Sequence, residues 1–124
     1  MECIFCRLDD YTLENDLAYA VFDAMPVNEG HMLIIPKRHV QNYFDLKPEE
    51  EAAMLELLHK GKKLIEEKYS PDGYNFGVNC NSCAGQSVMH AHMHLIPRYR
   101  GDSEALLGGV RGVIPEKMGY IVKK

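Results

Sequence analysis

Runs of apolar residues separated by turn residues follow one another through the first hundred positions. Residues 16–23 and 31–36 are rich in apolar side chains and flank a turn with Pro26 and Gly30, which predicts two paired strands. Residues 74–79 alternate between polar and apolar and predict a further strand. Because strands and helices do not alternate regularly, the pattern indicates an α+β fold with an antiparallel sheet.

One long helix is predicted from Pro48 to about Tyr69. Pro48 suits the first helical position, and the three glutamates that follow it lie near the positive end of the helix dipole. The apolar stripe at helical spacing consists of Met54, Leu55, Leu58, Gly61, Leu64, Ile65 and Tyr69. Its spacing fits burial on the chain's own sheet and burial against a second subunit equally well.

Three histidines occupy alternate positions of an apolar segment that predicts a strand over residues 87–97. Side chains alternate between the two faces of a strand, so His90, His92 and His94 are expected on one face, about 6.5–7 Å apart along the strand. Burying polar rings without partners costs free energy. The arrangement therefore indicates a site that binds an anion, ligates a metal ion or uses an imidazole as nucleophile or base.

Composition restricts the class of protein. With 124 residues, 46% of them hydrophobic, the chain is expected to form one domain over residues 1–124, with an N-terminal segment 1–10 and a glycine-rich tail 101–124. The net charge of −4 argues against general nucleic-acid binding. The sequence shows no signal peptide and no membrane span, so we expect a cytoplasmic protein with no membrane partner.

The four cysteines form two Cys-x-x-Cys pairs, Cys3 with Cys6 and Cys80 with Cys83. In the cytoplasm such cysteines are expected to be metal ligands or thiols rather than disulfides. Each pair has the spacing of half a zinc site, and the pattern alone favours one site of four cysteines. If no metal binds, Cys80 and Cys83 are candidates for redox-sensitive thiols.

Residues 85–98 resemble the histidine triad (HIT) family of nucleotide hydrolases and transferases. The family signature is His-φ-His-φ-His-φ-φ, with φ apolar, and residues 90–96 match every position. The likeness extends upstream through Asp23, His31 and residues 36–39. The resemblance implies a HIT-like fold, with an antiparallel sheet of about five strands and one long helix, and a homodimer as the usual assembly.

The resemblance also implies a role for each candidate site residue. His92 matches the nucleophile that attacks the α-phosphorus of a nucleotide, and the His90 carbonyl matches the acceptor that orients it. The positions that donate to the phosphate or to the leaving group are His94, His31, Ser87, Asn79 and Gln86. Asp23 matches the acceptor for the ribose hydroxyls. The positions that line a purine pocket are Ile4, Phe5, Leu8 and Val21.

For the metal, the resemblance implies a structural zinc ion. The ligands in similar bacterial proteins match Cys3, Cys6, His39 and His90. This ligand set and the four-cysteine site are alternatives. Cys80 and Cys83 are metal ligands only in the four-cysteine site. That pair lies in a loop that the family usually builds from Asn, Gly and Glu, so the chain departs from the family pattern there.

The implied activity is hydrolysis of nucleoside 5′-phosphate derivatives at the α-phosphate through a nucleotidyl-histidine intermediate. Adenosine phosphoramidates or acyl-adenylates fit the branch that Asn79 and Ser87 resemble. Diadenosine polyphosphates have a longer phosphate chain, which would suit Arg98, Arg100 and Arg111. The alternatives are a nucleotide-binding sensor or adaptor with little turnover, and a purely structural zinc-binding domain.

Overall fold

A five-stranded antiparallel sheet forms the centre of the computed structural model, which describes residues 3–104 and 107–119. The strands are β1 (Leu13–Glu14), β2 (Ala18–Phe22), β3 (Met32–Pro36), β4 (Gly73–Val78) and β5 (Met93–Arg98). The α-helices are α1 (Ile4–Arg7) and α2 (Pro48–Tyr69), and 3₁₀ helices span Tyr43–Asp45, Ser82–Ala84, Gly109–Val113 and Pro115–Lys117. The strand order is β1-β2-β3-β5-β4. The predicted α+β fold with about five antiparallel strands and one long helix is confirmed.

The histidine segment becomes a strand later than its sequence pattern predicts. Strand β5 begins at Met93, and the residues from 87 to 92 form an irregular approach to it. Two hydrogen bonds hold this approach outside the sheet: the Ala91 N–H donates to the carbonyl of the distant Val40, and the His90 carbonyl accepts from the His92 ring. The predicted strand over 87–97 is therefore wrong in its first half, and only His94 of the three histidines lies within β5.

Helix α2 covers one face of the sheet and has the predicted bounds, Pro48–Tyr69. Its apolar stripe packs into one buried cluster with residues of β2, β3 and β5, so the stripe faces the chain's own sheet. The prediction is wrong at Leu55, which is 41% exposed, while Leu57 is fully buried. Dimerisation stays a prediction. Within the described residues, no α-helix is both long and apolar enough to cross a bilayer.

The start of α2 is tied to the segment that follows β3. The buried Glu50 carboxylate accepts from the Lys47 N–H and from two nitrogens of the Arg38 guanidinium, each at 2.8 Å. Hydrogen bonds from Arg38 lower the pKa of Glu50, so the pair is ionised at neutral pH. This contact holds the backbone next to His39 in place.

The turn between β2 and β3 brings Asp23 and His31 side by side. The Asp23 N–H donates to the His31 carbonyl at 2.8 Å, and the His31 N–H donates to the Asn28 carbonyl at 3.1 Å. Gly30 precedes His31 with a φ of +88°, a conformation that residues with a Cβ rarely adopt. A Cβ there would also lie 3.0 Å from the Tyr69 ring, so the turn depends on glycine.

Replacement of Leu57 by alanine should destabilise the fold much more than the same change at Leu55. Leu57 is 0% exposed in the cluster under α2, and truncating a fully buried leucine costs about 2–5 kcal/mol. Leu55→Ala is expected to cost less than about 1 kcal/mol. Urea denaturation of both variants measures the difference, and equal midpoints would show that the described helix face is wrong.

Candidate active site

His90 lies between a backbone carbonyl and two cysteines. Its side chain is fully buried, and its Nε2 lies 2.7 Å from the Pro36 carbonyl oxygen. Because a carbonyl oxygen only accepts, the ring proton is on Nε2. The lone pair of Nδ1 therefore faces the Sγ atoms of Cys3 and Cys6, at 3.3 and 3.5 Å.

The donor atoms of Cys3, Cys6, His39 and His90 all lie within 4.8 Å of one another. The Sγ atom of Cys6 is 3.3 Å from the Nδ1 atom of His39. Tetrahedral Zn²⁺ with ordinary bond lengths separates sulfur and nitrogen ligands by about 3.5 Å, so this cluster fits zinc. Desolvation, and after it the neighbouring Cys3 thiol, raise the pKa of the Cys6 thiol. A cation bound here would lower that pKa, because it stabilises the thiolate.

The second cysteine pair takes no part in this cluster. Cys83 lies in the 3₁₀ helix Ser82–Ala84 and Cys80 just before it. Among the described residues, neither cysteine belongs to a group of three or more converging metal-ligand atoms. The four-cysteine site is therefore not formed, although sequence spacing alone favours it.

The backbone of His90 orients the ring of His92. The Nδ1 atom of His92 lies 2.8 Å from the His90 carbonyl oxygen, so Nδ1 carries the proton and Nε2 keeps its lone pair. The Phe5 ring packs edge-on against His92, with ring centroids 5.0 Å apart, and against His90 at 5.9 Å. These contacts leave His92 little rotational freedom.

His31 and His94 form a hydrogen-bonded pair whose protons are also fixed by the backbone. The Val27 N–H donates to His31 Nδ1 at 3.1 Å, so His31 carries its proton on Nε2. That nitrogen lies 3.0 Å from His94 Nδ1 and donates to it, which leaves the His94 proton on Nε2. Burial lowers the pKa of His31, and burial followed by the nearby imidazoles of His92 and His31 lowers the pKa of His94 to about 4. Both rings are therefore neutral near pH 7.

A cavity of about 700 Å³ extends from His92 and His94 to the N-terminal helix α1. His92, His94 and Ser87 line one end of it. All four residues predicted for a purine pocket line the cavity: Ile4, Phe5, Leu8 and Val21.

Asp23 also lines this cavity, and it caps the turn as well, because one carboxylate oxygen accepts from the Met25 N–H at 2.9 Å. Asp10 and Leu33 line the cavity without having been predicted. Leu33 pairs with Val21 across β2 and β3, so the strand register could have revealed it. Nothing in the sequence spacing marks Asp10.

Gln86 and Asn79 are placed differently from each other. The buried Gln86 side chain donates to the carbonyls of Gln41 and Val88 and accepts from the Asn81 N–H, so its amide holds the loop together. Asn79 instead lines a second cavity of about 480 Å³, together with His31 and His94.

The tail arginines have partners within the chain. The Arg98 guanidinium makes two 2.8 Å hydrogen bonds to Asp102 and one of 2.7 Å to Asn75. Arg111 donates to the carbonyls of Lys117 and Met118. Neither arginine lines the cavity at His92. Arg98 and Arg111, both expected to hold a longer phosphate chain, are thus engaged elsewhere, whereas Arg100 is exposed and its Nε lies 3.9 Å from an Asp72 carboxylate oxygen.

The fold and the histidine geometry agree with the comparisons to known proteins. The family model of the HIT domain matches residues 8–101, and the chain belongs to the HIT family. An uncharacterized HIT-like protein of Methanocaldococcus jannaschii is 38% identical over 120 residues, which cover 90% of this chain and 91% of that protein.

Two further relatives have informative names. The AP-4-A phosphorylase of Mycobacterium tuberculosis is 36% identical over 103 residues, which cover 81% of this chain and 52% of the relative. The crystal structure of a zinc-bound histidine triad family protein from Mycobacterium smegmatis matches with a TM-score of 0.74 and 30% identity, over 84% of this chain and 80% of that one.

Proposed function

We propose that this protein hydrolyses nucleoside 5′-phosphate derivatives at the α-phosphorus through a nucleotidyl intermediate on His92. The observation that carries the proposal is the 2.8 Å hydrogen bond from His92 Nδ1 to the His90 carbonyl, which leaves the Nε2 lone pair available beside a cavity. A neutral imidazole is a competent nucleophile near pH 7.

The cavity at His92 suits a purine nucleoside. Its volume of about 700 Å³ lies within the range of about 300–1,000 Å³ that is usual for small-molecule sites. The apolar end at Ile4 and Leu8 would bury the base, and the Asp23 carboxylate would accept from the ribose hydroxyls. The relative named AP-4-A phosphorylase supports an adenosine nucleotide as substrate.

In the first step, His92 Nε2 forms a bond to phosphorus and the bond from phosphorus to the leaving group breaks. His94, with its proton on Nε2, donates to a non-bridging phosphate oxygen, and Ser87 donates to the departing group. The His31 proton is already shared with His94. His31 therefore serves as a positioning residue that fixes the tautomer of His94.

In the second step, water attacks phosphorus and the bond from phosphorus to His92 Nε2 breaks. The hydroxyl of the water stays on phosphorus, the other proton of the water replaces the one that Ser87 gave to the leaving group, and the His92 lone pair is restored. The products are a nucleoside 5′-monophosphate and the free leaving group. Splitting the displacement into two steps lowers each barrier.

Replacement of His92 by asparagine should abolish turnover. We expect AMP release from adenosine phosphoramidate and from diadenosine tetraphosphate, measured by chromatography, to fall at least about 10³-fold, because the nucleophile is lost. His59→Asn is the matched control, since His59 is an exposed residue of α2. Unchanged AMP release in His92→Asn would contradict the proposal. Nucleotide binding without turnover by the native protein would favour a sensor or adaptor.

We also propose that Cys3, Cys6, His39 and His90 hold a structural zinc ion. The separations between sulfur and nitrogen atoms support this, and so does the zinc-bound relative. A metal ion there would join the N-terminal segment, which contains Phe5, to the ends of β3 and the histidine segment. With all four positions taken by the protein, the ion would have no open site for substrate.

Cysteine substitutions distinguish this zinc site from a four-cysteine site. Cys6→Ser should lose the zinc that elemental analysis finds in the native protein and lower Tm by at least about 5 °C, because the site links distant segments. Cys83→Ser, the matched control, should keep the zinc. Loss of zinc from both variants would contradict the assignment, and so would native protein purified without zinc.

A further inference from the structure

We propose that Asp10 selects the base of the substrate and favours guanine over adenine. Asp10 lines the same cavity of about 700 Å³ as His92. This inference rests on the proposed function, because it concerns the nucleoside part of the same substrate. The reaction takes place at phosphorus and does not involve the base, so adenosine derivatives remain substrates and are expected to react with a lower kcat/KM.

Asp10 belongs to the segment that forms the α1 end of the cavity. It follows Leu8, the C-cap residue of α1, by two positions, and both residues line the cavity. The proposed nucleophile, His92, lines the other end. Because Ile4 and Leu8 are the residues proposed to bury the base, Asp10 is placed beside an edge of the base rather than beside the phosphate.

Two tyrosines fix the segment that carries Asp10. The Tyr11 hydroxyl donates to the Leu8 carbonyl at 2.9 Å, and the Tyr11 ring stacks on the Tyr19 ring with centroids 4.1 Å apart. The buried Tyr19 hydroxyl in turn donates to the Phe5 carbonyl at 2.6 Å. The backbone at Asp10 is thus tied to both α1 and β2, and a binding group on a fixed backbone discriminates better between similar ligands.

Asp10 has the one polar side chain of the described cavity wall that the proposed reaction leaves unused. The described lining residues with oxygen or nitrogen in their side chains are Asp10, Asp23, Ser87, His92 and His94. Asp23 is assigned to the ribose, and the other three are assigned to the phosphate and the leaving group. Within the described part of the chain, the Asp10 carboxylate has no hydrogen bond or ion pair, so it is available to a ligand.

The hydrogen-bonding edge of guanine matches a carboxylate. Guanine presents its N1–H and its N2 amino group side by side, so each carboxylate oxygen accepts one hydrogen bond. Adenine presents one donor, the N6 amino group, beside the acceptor N1, so the second carboxylate oxygen faces another lone pair. Hypoxanthine, the base of inosine, has the N1–H but no N2 amino group and is expected to bind with intermediate affinity.

The charge of the cavity wall strengthens this selection. No Lys or Arg is among the described residues that line the cavity, so no cation there offsets the Asp10 carboxylate. A base that covers this carboxylate without donating to it removes water and leaves an acceptor unsatisfied, which costs free energy. The site therefore penalises adenine in addition to favouring guanine.

Exchanging one carboxylate oxygen of Asp10 for an amino group tests the inference. The probes are the 5′-phosphoramidates of guanosine, inosine and adenosine. We expect the native protein to have a kcat/KM at least about tenfold higher for guanosine than for adenosine, with inosine between them. Asp10→Asn should reverse the order of guanosine and adenosine, because an amide accepts from the N6 amino group of adenine and donates to its N1.

Asp9→Asn is the matched control. Asp9 is the exposed neighbour of Asp10, and it is not among the residues that line the cavity. The change removes the same charge from the same segment and should keep the native order of the three probes. Equal or higher kcat/KM for adenosine in the native protein, or a guanosine-to-adenosine ratio that Asp10→Asn leaves unchanged, would overturn the role of Asp10.

A binding measurement separates this inference from the proposed activity. Calorimetry should show tighter binding of GMP than of AMP by the native protein and by His92→Asn, and Asp10→Asn should remove the difference. That result without hydrolysis of any probe by the native protein would support base selection while removing the hydrolase proposal. Hydrolysis of all three probes with equal kcat/KM, together with equal affinities for GMP and AMP, would overturn base selection and leave the hydrolase proposal standing.

Discussion

The buried imidazole of His90 is the constraint on which the rest of the site depends. Its Nε2–H is held by the Pro36 carbonyl at the end of β3, and this turns the Nδ1 lone pair toward Cys3 and Cys6. The carbonyl of the same residue accepts the proton of His92. Its side chain thus faces the proposed zinc site, while its backbone orients the proposed nucleophile. A disturbance of either contact changes the geometry of both.

The ring protons of His31 and His94 are also fixed in position by hydrogen bonds. The Val27 N–H determines the tautomer of His31, which determines that of His94. Burial keeps both rings neutral by lowering the pKa of each. The imidazoles of His31 and His94 can therefore lie side by side without mutual repulsion, and the Nε2–H of His94 is left free to donate.

Local signals were sufficient for part of this structure. Helix α2 has its predicted bounds because a proline start, acidic first turn and helical spacing are encoded within the helix itself. Leu57 also fits the helical spacing from Met54, so its burial could have been recognised. Strand β1 has two residues, too few for an alternating pattern. The start of β5 depends on the contact of Ala91 with Val40, which is distant in sequence.

The choice of partners for polar side chains could not be deduced from spacing. The two Cys-x-x-Cys pairs look alike in sequence, and only the fold brings Cys3 and Cys6 to His90. The same holds for Gln86 and Arg98, each of which also binds a partner in another segment, the Gln41 carbonyl and the Asn75 side chain respectively.

The most direct test is a long-range ¹H–¹⁵N correlation spectrum of the histidine rings at neutral pH. We predict the Nδ1–H tautomer for His92 and the Nε2–H tautomer for His31 and His94. A His92 proton on Nε2 would contradict the proposed nucleophile.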